Sequence, residues 1–141
     1  DFTKFMVLTS LAFAVGQLWI LAGSVFRRRD AKFPPKEIAR VDDIPIGGSL
    51  VFHHPQAHQP AVLLRVGELR FVAFDQKCTH LSCPVIPRVK EDQLYCPCHE
   101  GRFDLTTGRP LAGPPQRPLA RIQLEIRDKR IYAVGVEERT V

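Results

Sequence analysis

Residues Cys78 to Cys83 read C-T-H-L-S-C, and residues Cys96 to Asp104 read C-P-C-H-E-G-R-F-D; these two boxes hold all four cysteines of a 141-residue chain. Each box also carries a histidine, giving Cys78-x-His80, fifteen intervening residues, then Cys96-x-x-His99. Two thiolates and two imidazoles presented from two loops form a four-ligand set. Soft and borderline donors of this kind suit either zinc or an iron–sulfur cluster.

The boxes lie in about 40 residues that show no strand or helix pattern, and an irregular segment of that length in a compact domain is usually functional. On either side the pattern is that of short strands. S-L-V-F-H, A-V-L-L-R-V and L-R-F-V-A-F are rich in β-branched and aromatic residues, with Gly67-Glu68 placed as a two-residue hairpin turn between the last two. L-A-R-I-Q-L-E-I alternates from Leu119 to Ile126, except for a break in phase at Ala120 to Ile122 that suggests a bulge. R-I-Y-A-V-G-V follows, with Asp128-Lys129 at the turn. This predicts a small all-β domain, an antiparallel sandwich or barrel over 46–141, with the ligand loops at about 76–118 as a subdomain.

Toward the N-terminus, Phe5 to Phe26 contains no charged residue and is followed by Arg27, Arg28 and Arg29. A helix rising about 1.5 Å per residue crosses a bilayer core of roughly 30 Å over such a length. Residues 1–29 are therefore expected to be a transmembrane anchor. Gly16, Gln17 and Gly23 offer small or polar contacts to other membrane helices. Residues 30–45, with Pro34-Pro35 and mixed charges, are expected to be a tether or hinge.

Charge narrows the partners. The formal net charge is +5, yet residues 31–141 mix 16 basic with 13 acidic side chains, which is no nucleic-acid footprint. His53, His54 and His58 sit in H-H-P-Q-A-H, a polar loop with prolines that is expected to hold no second metal. Arg102, Arg109, Arg117 and Arg121 flank the ligand loops.

Taken with the proline-rich G-P-P-Q-R-P-L of Gly113 to Leu119 and the single N-terminal span, the two boxes make the chain resemble the Rieske iron–sulfur proteins of quinol-oxidising cytochrome bc-type complexes. The resemblance implies one 2Fe-2S cluster, with Cys78 and Cys96 on one iron and His80 and His99 on the other. It pairs Cys83 with Cys98 in a disulfide, lays the proline loop over the cluster, and makes His99 the group that meets quinol, with His80 exposed beside it. The partners it implies are a cytochrome b-type or other integral membrane subunit, and a c-type cytochrome or other electron acceptor.

Two positions depart from the high-potential family pattern, in which a Ser and a Tyr donate hydrogen bonds to the cluster sulfurs. Here they are Gly101 and Phe103, and neither side chain donates. A lower potential and a menaquinol-type donor are expected. A Rieske subunit of another membrane complex, such as an arsenite-oxidase-like molybdoenzyme that relays electrons without touching quinol, shares every ligand. A zinc-stapled structural module is a third reading. The arginines after the span, by the positive-inside count, place the head in the cytoplasm. A structural disulfide argues for the periplasmic face, and D-F-T-K-F-M resembles the second half of a twin-arginine export signal. The disulfide decides for the outer face.

Overall fold

The computed structural model describes residues 1–30 and 33–139, with side chains at 1–23 and 33–139. Two compact units are present, Asp1–Lys32 and Phe33–Val141. The first is a helix, α1 (Phe2–Asp30), in which Phe2–Gly23 is long and apolar enough to cross a membrane. Phe5, Leu8, Leu11, Phe13, Leu18 and Trp19 are all exposed, so this surface lacks the packing partner that a core helix in water needs. The Thr9 hydroxyl donates to the carbonyls of Phe5 and Met6 at 3.1 and 3.0 Å, which satisfies that hydroxyl within the helix. One N-terminal apolar helix fits single-pass membrane anchoring. Arg27, Arg28 and Arg29 lie in the helix, but their side chains are outside those described.

The second unit is built from ten strands: β1 (Lys36–Arg40), β2 (Ser49–His53), β3 (Pro60–Arg65), β4 (Phe71–Asp75), β5 (Ile86–Arg88), β6 (Gln93–Cys96), β7 (Gly101–Asp104), β8 (Pro110–Ala112), β9 (Arg121–Arg127) and β10 (Arg130–Glu137). Two antiparallel sheets result, one ordered β1-β10-β9-β4-β3-β2 and one ordered β5-β6-β7-β8. The expected all-β architecture is present. The smaller sheet is inserted between β4 and β9, which are neighbours in the larger one.

Strands β3 and β4 explain the layering. Ala61, Leu63 and Ala73 face one core with Val41, Ile44, Phe52, Ile122 and Ile131, whereas Val62, Leu64, Val72 and Phe74 face a second core with Leu94, Phe103, Leu105 and Leu119. A strand covered on both faces needs apolar residues at successive positions, and A-V-L-L supplies them. The second core joins the large sheet to the small one, so the ligand loops are packed against the scaffold. Truncating a fully buried side chain there, such as Phe103, costs about 3–5 kcal/mol.

Four details differ from the sequence reading. Part of the expected tether belongs to the sheet: β1 pairs with β10, and Val41 and Ile44 are buried, so the folded unit begins well before Ile46. Apolar Ile38, Ala39, Val41 and Ile44 are spread among charges there, which hid them. The turn between β3 and β4 runs over 66–70, closed by the Val66 N–H donating to the Arg70 carbonyl at 2.9 Å, and Leu69 is exposed rather than in the strand. The phase break near Ala120 is the start of β9: Leu119 precedes the strand and packs into the other core. The register shift lies instead in β10, between Ala133 and Gly135. Finally, His54 is 3% exposed with its ring edge-on to Phe33 at 5.8 Å, not a solvated loop histidine. The Asp128-Lys129 turn is as expected, with φ of 47° and 60°, the left-handed pair that suits a two-residue hairpin.

Candidate metal centre

The first box follows β4 as a turn folded back on itself. The Cys78 N–H donates to the Cys83 carbonyl at 2.8 Å, the Ser82 N–H donates to the Cys78 carbonyl at 2.9 Å, and Ser82 adopts φ 60° to close the loop. The second box is a hairpin: Cys96 ends β6, Gly101 opens β7 opposite it, and Pro97 to Glu100 form the tip, with Glu100 at φ 56°. Cys83 and Cys98 form a disulfide between the two loops, across 15 residues of sequence. Their sulfurs and that of Cys96 lie within 4.8 Å of one another, so the bridge sits directly beside the Cys96 thiol.

The remaining thiols, Cys78 and Cys96, are free and buried. They lie beside each other, and the backbone N–H groups of His80 and Leu81 neighbour the Cys78 sulfur. Burial pushes the Cys78 thiol up from its ordinary value; the His80 N–H pulls it back, the neighbouring Cys96 raises it again, and the Leu81 N–H opposes that. Two adjacent buried thiolates are unfavourable alone and become favourable when they share a cation. The imidazoles form a second pair: His80 and His99 are exposed, with ring centroids 4.8 Å apart and planes at 88°.

A third segment closes over the second hairpin. A β-carbon on Gly113, at φ 89°, would come within 2.9 Å of Gly101 Cα, and one on Gly101 would come within 2.8 Å of Pro115 Cγ. Only glycine fits both positions. Pro115 and Pro118 are buried. The Thr79 hydroxyl, between Cys78 and His80, donates to the Arg117 carbonyl at 2.8 Å, fastening the proline loop to the first box. Sequence reading did not single out Thr79, because a lone threonine in a loop carries no pattern. Phe103 is fully buried and Gly101 is buried, and neither side chain carries a hydrogen-bond donor.

The structure thus brings Cys78 to Cys96 and His80 to His99, and bonds Cys83 to Cys98. Two soft anionic donors and two borderline neutral ones, the first pair dry and the second wet, fit an asymmetric binuclear iron centre.

Comparison with known proteins agrees. Residues 35–123 match the Rieske 2Fe-2S domain family. A carotenoid phi-ring synthase of Chlorobaculum tepidum is 42% identical over 82 residues, 58% of this chain and 12% of that protein. Iodate reductase subunit IdrB of Denitromonas iodatirespirans is 32% identical over 120 residues, 76% of this chain and 65% of that protein. This chain therefore spans less than two thirds of either relative. Among solved structures, the plasma-membrane Rieske protein PetC3 of Synechocystis superposes with a TM-score of 0.63 at 25% identity, covering 71% of this chain and 99% of that one. The soluble domain of a Rieske protein from Sulfolobus acidocaldarius shares the fold at a TM-score of 0.67 and 22% identity, over 76% of this chain and 80% of that one.

Proposed function

Because the chain belongs to the Rieske 2Fe-2S family, we propose that Cys78 and Cys96 hold one iron of its cluster and His80 and His99 the other, in a membrane-anchored subunit that takes electrons from a menaquinol-type quinol. The observation that carries this reading is the juxtaposition of a buried free thiol pair with an exposed imidazole pair on loops joined by a disulfide. When bound, the cluster supplies a one-electron couple which two neutral imidazoles in place of thiolates raise from about −400 mV to about −150 to +300 mV.

The protein's own residues do the rest. Cys78 and Cys96 exclude water from one side of the site, while the exposed ring of His99 is free to accept a hydrogen bond, and then the proton, from a quinol hydroxyl. His80 stands beside it, edge-on, in the same role for a second contact. Gly101 and Phe103 leave the reduced state without hydroxyl donors, which favours a low-potential quinol. The head passes its electron to a cytochrome or other redox partner held in the same membrane complex with a cytochrome b-type subunit. The disulfide suits an oxidising compartment, so the head is assigned to the periplasmic face, with twin-arginine export carrying it there already folded.

A second reading has its own support. The 32% identity with a subunit named for iodate reductase supports a relay subunit in a reductase complex. Purifying the membrane complex separates the two: a cytochrome b-type subunit and quinol-dependent reduction support the first, a molybdoenzyme partner the second.

Metal analysis and electron paramagnetic resonance on the full-length protein test the ligand assignment. About two irons per chain, a signal on reduction, and its loss in both Cys78→Ser and His99→Ala are expected. One zinc and no signal would mean a structural module instead.

A further inference from the structure

Leu119 ties three segments of the head together through its backbone. Its N–H donates to the Gly108 carbonyl at 3.0 Å, and its carbonyl accepts from Arg139 Nη2 at 2.6 Å. One residue on, the Ala120 carbonyl accepts from the Asp75 N–H at 2.9 Å. The β7–β8 turn, the start of β9 and the segment after β10 are thereby fixed to one another. Each carries an arginine: Arg109, Arg121 and Arg139. Packing is tight, because a β-carbon on Gly108 would come within 2.7 Å of the Phe74 ring and 2.9 Å of Arg139 Nη2.

Among the described residues no carboxylate forms an ion pair with this group, although Glu137 stands opposite Arg121 in the β9–β10 register and offsets part of its charge. Among the described residues, the side chains of Arg109 and Arg121 are exposed and make no ion pair or hydrogen bond, and Arg139 Nε is buried without a hydrogen-bond partner. Burial lowers the Arg139 pKa from its ordinary value; Glu137 opposes this, and Arg121 and Arg109 add to it. Elsewhere the pattern differs: Arg130 is paired with Glu37, and Arg127 with Glu125. Three arginines without an ion pair are thus gathered on one flank, with Glu137 as the acidic residue among them. That flank adjoins the ligand loops, since Leu119 lies two residues beyond Arg117, whose carbonyl is held by Thr79.

We propose that Arg109, Arg121 and Arg139 form a docking surface for the acidic face of a protein redox partner, made of residues separate from His80 and His99. The surroundings favour a protein over a small anion. The open depression beside Arg121, about 420 Å³, is lined by Phe71, Leu124 and Ile126 together with Thr106 and Thr107, a mixed wall suited to side chains at a protein rim. Guanidinium groups held on fixed backbone meet carboxylates as forks, and a clustered charge raises the association rate of an opposite partner by about 10–10³-fold at low salt. The proposal rests on the electron-carrier reading.

The test uses the full-length, iron-loaded protein in nanodiscs of neutral phosphatidylcholine. A fluorescein-labelled hexaglutamate peptide reports binding by anisotropy. Stopped-flow mixing of the reduced protein with an acidic ferric c-type cytochrome reports electron transfer, one electron leaving the protein for each haem iron reduced. Both signals should fall steeply between about 50 and 300 mM salt. In Arg109→Gln/Arg121→Gln both should weaken about tenfold at low salt and lose most of that salt dependence. Arg130→Gln should match wild type, and the visible spectrum verifies loading in every variant. Unchanged binding and rate in the double variant would overturn the proposal. So would displacement of the peptide by low-millimolar phosphate but not by chloride of equal ionic strength, which means a small-anion site. A rate that follows phosphatidylglycerol content instead of acceptor charge would assign the arginines to lipid, and overturn it too. If wild type reduces no cytochrome, the electron-carrier reading fails, while the peptide still decides the surface.

Discussion

Pro115 lies so close to Gly101 that a β-carbon on the glycine would come within 2.8 Å of Pro115 Cγ and 3.2 Å of its Cδ. Gly101→Ala should therefore push the proline loop off the second hairpin at a cost of about 1–3 kcal/mol. Pro115→Ala removes the obstructing ring atoms. In a double-mutant cycle by chemical denaturation, Gly101→Ala should be less harmful with Pro115→Ala present than without it. Additive effects would show that the contact is not the cause.

The disulfide joins the two ligand loops across a separation of 15 residues. Cys83→Ala/Cys98→Ala should lower stability by about 2–4 kcal/mol. Iron release, followed by the fading of visible absorption, should quicken in the variant, and in the wild type under reducing agent.

His54 supplies a pH dependence. Burial lowers its pKa from the ordinary value, and Lys36 adds to that shift. The folded state therefore resists protonation more than the unfolded chain does. Above the unfolded value of about 6.5 both states are neutral and the residue has no effect on pH dependence. As pH falls below that value the unfolded chain takes up the proton first, and stability is lost. Melting temperatures from pH 8 to about pH 5 should fall less steeply in His54→Phe than in wild type. Parallel curves would show that another group is responsible.

Phe103 is fully buried in the core that joins the two sheets. Phe103→Tyr, by offering a hydroxyl near the second box, should raise the midpoint potential in protein-film voltammetry, with the change vanishing in Phe103→Leu. A tyrosine variant at the wild-type potential would remove the argument for a menaquinol-type donor.

The all-β class and the meeting of the two boxes were legible in the sequence. Four cysteines confined to two boxes, each with a histidine, have few chemical explanations, and the Cys83–Cys98 bridge is present. The boundaries were harder because they depend on tertiary packing. β1 is stabilised by its pairing with β10 nearly a hundred residues away, and its own sequence K-E-I-A-R shows only two apolar positions. His54 reads as polar but is buried against Phe33, a contact no local pattern announces. Leu119 reads as the first residue of β9 yet precedes the strand and belongs to the opposite core. The arginine flank was visible only as scattered charges, since nothing in the sequence says that Gly108, Leu119 and Arg139 meet.

The small sheet and both ligand loops enter and leave the scaffold at strands β4 and β9, which already lie side by side at Phe74 and Arg121. The redox unit is thus a cartridge seated in a single socket. Excising residues 76–120 and bridging the gap with a short turn would leave an ordinary antiparallel hairpin, and swapping that segment alone would retune the carrier while its mooring stayed the same.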